Sequence, residues 1–506
     1  MNDRIAAQLT ELRALVNNLG KKGGHISPSI YDTAQLLRLY PPEDSAPAQS
    51  WLLAQQQPDG GWEAPDAPYA RDVPTLAAVL ALHAYQAEPA VRAAVDAGLA
   101  FLRRQAEKWA DVPIDALPIA AEVILPYLVE EANALGIALD RNPYASLYAL
   151  GQSKVQRVRR RTLPLGTPPT HSWEALGMPV SSVGPDHSGG IGHSPAATAA
   201  WLRQAEHEPA LAEACATARR YLAGAAHATG LDLPGVVPNV WPVTGFELAY
   251  APYTLLVTGL LDHPALQTAI EPLLDELWII MQRGHGVSFG EYFMADVDDT
   301  GLAMAVLHTS GRRVNPSVVL QFRDGEHFCT FPHELNPSVF ANAHALYGLV
   351  AAGGRDPGAE RFLCNRQCAD GRWLADKLHS SWLYTTLEVV LVLSRLGYMA
   401  EVQRAGAAVI QYQNAEGGWG SGLRATRVET SFALIILSVL RQCQLLDEAG
   451  YAALARGHAW LSQTYRPHAV ADDRFWLGKV PYTPYRVDRI YEVSALLSIA
   501  MERILV

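Results

Sequence analysis

Apolar residues recur with a helical period along most of the chain. Segments 3–18, 75–86, 91–107, 116–135, 195–204, 209–226, 246–260, 264–282, 301–310, 338–351, 382–397, 401–413, 428–446, 449–464 and 490–504 carry Ala-, Leu- or Val-rich faces at spacings of three and four. Gly- and Pro-rich connectors separate them, and convincing runs of alternating polarity are lacking. The pattern predicts a nearly all-α protein. At 506 residues the chain is too long for one ordinary core, so two large domains are expected.

A repeat runs through the pattern. Trp51-Leu52, Gln56, Gly60 and Trp62 share their spacing with Phe362-Leu363, Gln367, Gly371 and Trp373, and with Ala408-Val409, Gln413, Gly417 and Trp419. An aromatic–aliphatic pair, weaker in the third copy, ends a helix, Gln can bond backbone groups there, Gly permits the turn and Trp packs over the next helix. Such units join paired helices in solenoids or barrels, so these tryptophans read as structural.

Composition narrows the function. The chain is 49% hydrophobic and 18% charged with a formal charge of −11, which argues against general nucleic-acid binding. An anionic ligand would need a local basic patch, and Lys154-Val155-Gln156-Arg157-Val158-Arg159-Arg160-Arg161 offers one, although most such runs are solvated faces. Five scattered cysteines, without a zinc-type spacing, read as reduced thiols. No apolar run reaches the length of a membrane span or a signal core, so a cytoplasmic protein is expected.

The densest chemistry is Asp296-Val297-Asp298-Asp299-Thr300, directly before the apolar run Leu302–Leu307. Three carboxylates beside a buried segment are costly unless solvated, paired or partly protonated. Asp299 or Thr300 capping the following helix is one explanation, a loose cation site a second, and acid chemistry a third. The offsets do not match an EF-hand.

An Asp-x-Asp-Asp-Thr stretch together with Gln-x-x-x-Gly-x-Trp repeats in a helical chain resembles the class II terpene cyclases. The likeness extends to Ser29-Ile30-Tyr31-Asp32-Thr33-Ala34, Glu122-Val123-Ile124-Leu125-Pro126 and Phe475-Trp476-Leu477-Gly478-Lys479-Val480-Pro481-Tyr482. It implies two α/α double barrels, with a γ domain over 26–239 inserted into a β domain of 1–25 plus 240–506 and the active site between them. His171-Ser172-Trp173-Glu174 and Gly235-Val236-Val237-Pro238-Asn239-Val240-Trp241-Pro242 are similar to segments of ent-copalyl diphosphate synthases.

From that resemblance follow the expected roles. Asp298 protonates the terminal alkene of geranylgeranyl diphosphate, with Asp296 and Asp299 tuning it, because crowding and burial keep a carboxyl neutral. His171 and Asn239 hold the water that removes the last proton. Tyr250, Phe289, Tyr292 and Trp382 are candidates for the aromatic wall that stabilises cations. Lys154, Arg157, Glu122 and Lys479 are expected at the substrate, and Glu122, Asp111 and Asp115 at Mg²⁺. The expected product is ent-copalyl diphosphate. Another copalyl isomer or a rearranged or hydroxylated bicyclic diphosphate is the alternative, ahead of a squalene-type cyclase or a non-catalytic helical scaffold.

No Asp-Asp-x-x-Asp occurs, since Asp472-Asp473-Arg474-Phe475-Trp476 fails at its last position. The diphosphate is therefore expected to remain on the product, for a separate class I synthase to use. A monomer or homodimer is expected.

Overall fold

Helices that are apolar all round must be buried all round, and such helices set the architecture. In the helix Val297–Thr309 every residue from Val297 to Leu307 is buried, and in Trp382–Leu396 every residue from Trp382 to Leu393. The computed structural model describes residues 2–502, apart from 65, 66, 115, 116, 333, 335 and 423. Six helices of its C-terminal half, Thr244–Val257, Val297–Thr309, Val339–Ala351, Trp382–Leu396, Arg427–Gln442 and Tyr485–Ala500, pack each against the next, and the last closes on the first. One-faced helices form the layer outside. Met399–Gln411, for example, buries Val402, Ala405, Gly406, Ala408 and Val409 and leaves its other side polar.

A smaller ring is built from Ile30–Leu39, Asp72–Leu82, Ala121–Ala134, the short turn Trp173–Ala175 and Pro195–Ala205, with Ala46–Ala54, Pro89–Gln105, Ala145–Arg159 and Ala212–Ala228 outside it. One apolar core runs from Leu12 and Val16 through the six-helix ring to Leu497. Two others lie within residues 30–237, joined only by Val480 from the far end of the chain. Among the described residues the strands are two two-residue hairpins, Arg323–Asp324 with His327–Phe328 and Trp476–Leu477 with Pro481–Tyr482. The protein is all-α in both halves.

The repeat works as a hydrogen-bonded corner. Trp62, Trp373 and Trp419 donate their indole N–H to the carbonyls of Leu52, Leu363 and Val409 at 2.8, 2.8 and 2.7 Å. Gln56, Gln367 and Gln413 donate to Gly60, Gly371 and Gly417 and, across the corner, to Ala94, Glu401 and Ala453. The three glycines sit at φ of 89°, 95° and 100°, a region L-residues avoid. Each corner thus satisfies backbone carbonyls at the end of an outer helix and buries a tryptophan.

Periodicity missed the helices Ile30–Leu39, Ala46–Ala54, Ala145–Arg159 and Pro357–Cys364. The basic run belongs to the third of these as far as Arg159.

Candidate active site

The acidic stretch straddles a helix start. Asp296 is the N-cap of Val297–Thr309, its Oδ1 accepting from the Asp299 N–H at 2.8 Å, so the cap is neither Asp299 nor Thr300. Thr300 instead holds the preceding loop, its Oγ1 accepting from the Val287 N–H at 2.9 Å. Capping and chemistry are therefore compatible, because the cap uses one carboxylate and leaves the next two in the first turn.

Two glycines decide what Asp298 meets. A Cβ on Gly301 would lie 2.6 Å from the His344 carbonyl, and one on Gly348 would lie 2.5 Å from the Gly301 carbonyl. The helices Val297–Thr309 and Val339–Ala351 cross backbone to backbone there, which brings His344 against Asp298. His344 Nδ1 donates to Asp298 Oδ1, and the Tyr250 hydroxyl donates to Asp298 Oδ2 at 2.7 Å. On its other side His344 Nε2 lies 2.9 Å from Glu388 Oε2. Burial opposes charge on this imidazole, but Asp298 and Glu388 outweigh it and raise its pKa to about 9. With Asp298 and Glu388 ionised, His344 is therefore doubly protonated at neutral pH.

Asp296 and Asp299 are both pushed well above the usual carboxyl range. Burial is the main cause for each, followed by the neighbouring charge of Asp298 at Asp296, and of Asp296 and then Asp298 at Asp299. Burial and mutual repulsion thus oppose full ionisation of Asp296 and Asp299.

All three aspartates line a cavity of about 810 Å³ that both halves of the chain enclose. Its wall beside Asp298 is aromatic: Phe246 stacks on Tyr250 with centroids 4.2 Å apart, and Trp476 meets both rings edge-on at 5.0 Å. Phe289 and Phe293, 4.6 Å apart, continue it. Aromatic faces stabilise cations without offering a nucleophile.

His171 and Asn239 line the same cavity. The His171 Nδ1–H donates to the Gly192 carbonyl at 2.8 Å, which leaves the Nε2 lone pair free to accept. Burial, followed by the charge of Lys479, pushes its pKa well below the usual range, so it is neutral. Asn239 is fully buried, its amide N–H donates to the Val480 carbonyl at 3.4 Å and its Oδ1 has no protein partner. Lys479 lines the cavity as well. Its ammonium, 1% exposed, is engaged by Ser194 at 2.6 Å, the His171 carbonyl at 3.0 Å, Glu174 at 3.1 Å and Asp32 at 3.5 Å. It braces the His171 backbone between the halves and has little left to offer an anion.

Away from the aspartates the cavity is cationic, with Lys154, Arg157 and Arg161 on its wall. Glu122, buried beside them, is paired with Lys154. Asp111 is exposed and does not line the cavity, and Asp115 lies outside the described residues. Glu122 and Asp111 do not assemble a magnesium cage, because one is committed to a lysine and the other is elsewhere. Among the described residues the one cluster of three or more side chains spaced to ligate a metal is Asp324, His327 and Cys329, none of which lines the cavity.

Two wall assignments also change. Trp382 is buried at the start of its helix under Arg372, 5.2 Å above its ring, and does not line the cavity. Tyr292 is half exposed at a φ of 68° and packs against His187 outside the cavity, so its neighbour Phe293 takes the inward place. Tyr250 lines the wall, yet its closest role is donating to Asp298. Sequence reasoning missed His344, Glu388, Phe246, Phe293 and, as a cavity residue, Trp476. The available signal was an ionisable residue in a predominantly apolar helix, His344 in one and the sole acidic residue, Glu388, in the other.

The cavity therefore combines an acid cluster, a neutral imidazole, an aromatic wall and a cationic end, a set suited to protonating an apolar ligand that carries an anionic group. No protein-family model matches the chain. It is 40% identical over 509 residues to a (+)-kolavenyl diphosphate synthase of Herpetosiphon aurantiacus, covering 97% of this chain and 98% of the relative. It is 33% identical over 499 residues to an ent-copalyl diphosphate synthase of a Streptomyces species, covering 92% and 91%. Among solved structures it is similar to ent-copalyl diphosphate synthase from Streptomyces platensis, with a TM-score of 0.80, 28% identity and coverage of 97% and 99%. Fold, cavity and full-length likeness agree: the chain belongs to the class II diterpene cyclases, enzymes of isomerase-type cyclisation.

Proposed function

We propose that this enzyme protonates the terminal alkene of geranylgeranyl diphosphate, closes two rings and releases ent-copalyl diphosphate with the diphosphate intact. Asp298 is the general acid. An alkene is a very poor base, so the acid must be neutral and its conjugate base well stabilised. The Tyr250 hydroxyl and the His344 imidazolium already point at the two oxygens on which that negative charge develops. The tertiary cation is captured by successive alkenes against Phe246, Tyr250, Trp476, Phe289 and Phe293. A water bridging His171 Nε2 and Asn239 Oδ1 accepts the final proton, while Lys154 and Arg157 face the diphosphate.

One observation carries this reading. A buried carboxyl gripped by an imidazolium shares an apolar cavity with a neutral histidine and an unpaired amide oxygen. The test is incubation with geranylgeranyl diphosphate, phosphatase treatment and chiral chromatography, with ent-copalol expected. His171→Ala or Asn239→Ala is expected to divert product, including to a hydroxylated bicycle. Unchanged products from both variants would remove the base assignment.

A second reading rests on the 40% identical relative, whose name is that of a kolavenyl diphosphate synthase. Here the same protonation is followed by rearrangement before proton loss, and the carbon skeleton of the dephosphorylated product separates the two. Magnesium belongs to the proposal only as a companion of the substrate's diphosphate, and no step here depends on it. No helix among the described residues is long and apolar enough to cross a membrane. Cytoplasmic location, a monomer or homodimer, and transfer of product to a class I synthase complete the proposal.

A further inference from the structure

Glu388 is the one acidic residue in Trp382–Leu396, a helix whose residues are buried from Trp382 to Leu393. It is 0% exposed and does not line the cavity, so it cannot touch substrate. Four ring helices converge on it. His344 Nε2 forms an ion pair with Oε2 at 2.9 Å; Oε2 accepts from the Tyr253 hydroxyl at 2.8 Å, and Oε1 accepts from the Tyr491 hydroxyl at 3.2 Å. A buried carboxylate held by two hydroxyls and an imidazole is expensive to maintain in a core. Its purpose follows from what a histidine beside Asp298 would otherwise do.

A neutral imidazole facing a protonated Asp298 is a far stronger base than an alkene. It would take the acid's proton and leave nothing for substrate. Only a histidine that already carries both protons lets Asp298 remain an acid toward carbon. Whenever Asp298 is neutral, however, it does not balance the charge on that histidine, and a lone buried cation is unstable. The balancing charge has to come from the other side of the ring.

We propose that Glu388 is a positioning residue for catalysis: it keeps His344 doubly protonated and its Nδ1–H aimed at Asp298, so that the acid cannot discharge onto the imidazole. This deepens the proposed function and rests on Asp298 being the acid. The other titratable groups around the ring are Tyr250 at 5.8 Å and Tyr253 at 5.4 Å from one helix, Tyr384 at 6.4 Å from the Glu388 helix, and Tyr491 beyond Glu388. Burial pushes all four phenols well above their usual range, so none competes for the charge between pH 6 and 9.

The test compares full-length wild type with Glu388→Gln and Glu388→Asp. Steady-state turnover of geranylgeranyl diphosphate is followed from pH 6 to 9, together with the ¹⁵N shifts of labelled histidine, His344 being assigned by the signal lost in His344→Gln. In Glu388→Gln the alkaline limb of kcat moves acidward by about two units, from about 9 to about 7, so that kcat falls about tenfold more at pH 8 than at pH 6 while KM stays within about twofold. Glu388→Asp returns the limb toward wild type, and the His344 signal at pH 8 changes from imidazolium to neutral only in Glu388→Gln. Should Glu388→Gln not fold, Tyr253→Phe is expected to shift the limb in the same direction by less. A Glu388→Gln profile parallel to wild type, or a His344 that stays an imidazolium at pH 8 in that variant, overturns the proposal. If wild type gives no bicyclic diphosphate, the proposed function falls instead, and the histidine titration still decides the role of Glu388.

Discussion

Two histidines beside one cavity have been driven in opposite directions. His344 is held between Asp298 and Glu388 and carries its charge up to about pH 9, whereas His171, beside the Lys479 ammonium and bonded only to a carbonyl, is neutral. His344 is fully buried and His171 partly so, and burial by itself disfavours charge on either ring. The difference lies in the neighbours, and it gives the cavity an acid pole and a basic pole. A carbocation cascade that begins with proton delivery and ends with proton loss needs both poles, kept apart by walls that attack neither end.

That contrast predicts a graded set of effects. Asp298→Asn leaves the shape of the acid pole and removes its proton, so kcat should fall by about 10³-fold or more. Detectable bicyclisation at near wild-type rate would place the acid elsewhere. His344→Gln keeps a donor toward Asp298 but not the positive charge, and about 10²-fold of kcat should be lost, with KM for the prenyl diphosphate nearly unchanged. A rise in KM without change in kcat would mean that His344 merely shapes the cavity.

Gly301→Ala acts on the crossing that brings the pole together. Its new methyl would meet the His344 carbonyl, the helices would have to part, and about 1–3 kcal/mol of stability should go, together with much of the turnover. An unchanged melting temperature would show that the crossing tolerates a side chain.

The smallest effect is on stability against pH. The folded pKa of His344 lies above its unfolded value, so its contribution is complete below about pH 6.5 and is lost as pH rises through about 9. That of His171 lies below, so its contribution is complete above the unfolded value and declines as pH falls beneath it. Melting temperatures at pH 5.5, 7 and 9.5 should therefore show His344→Gln costing most at the two lower values. His171→Gln should soften the acid-side loss of stability. Parallel curves for the two variants would erase the distinction between the poles.

Much of this was legible in the sequence, for a definable reason. Asp296, Asp298 and Asp299 fall within four residues, and a local cluster advertises its own electrostatic cost. The motif within each Gln–Gly–Trp corner is local too, since the indole reaches back ten residues and the glutamine forward four to its glycine. His344 and Glu388 lie 46 and 90 residues beyond Asp298, and only the closure of the helical ring makes them neighbours. Tyr292 and Phe293 differ by one position on a turn, and a backbone at φ 68° decides which ring faces the cavity. The counter-charges of Lys479, Asp32 and Glu174, come from the other half of the chain, so no local pattern announces them. Trp382 was placed at the wall by likeness alone, and Trp476, embedded in a segment already noticed, stands there in its stead.

Turnover of geranylgeranyl diphosphate in D₂O tests the acid pole most directly. A carboxyl that exchanges with solvent and then protonates carbon should leave one deuterium on a ring carbon of a bicyclic product that still carries its diphosphate, and Asp298→Asn should form none of it. A product without deuterium, or one released together with free pyrophosphate, would contradict proton-initiated cyclisation by Asp298.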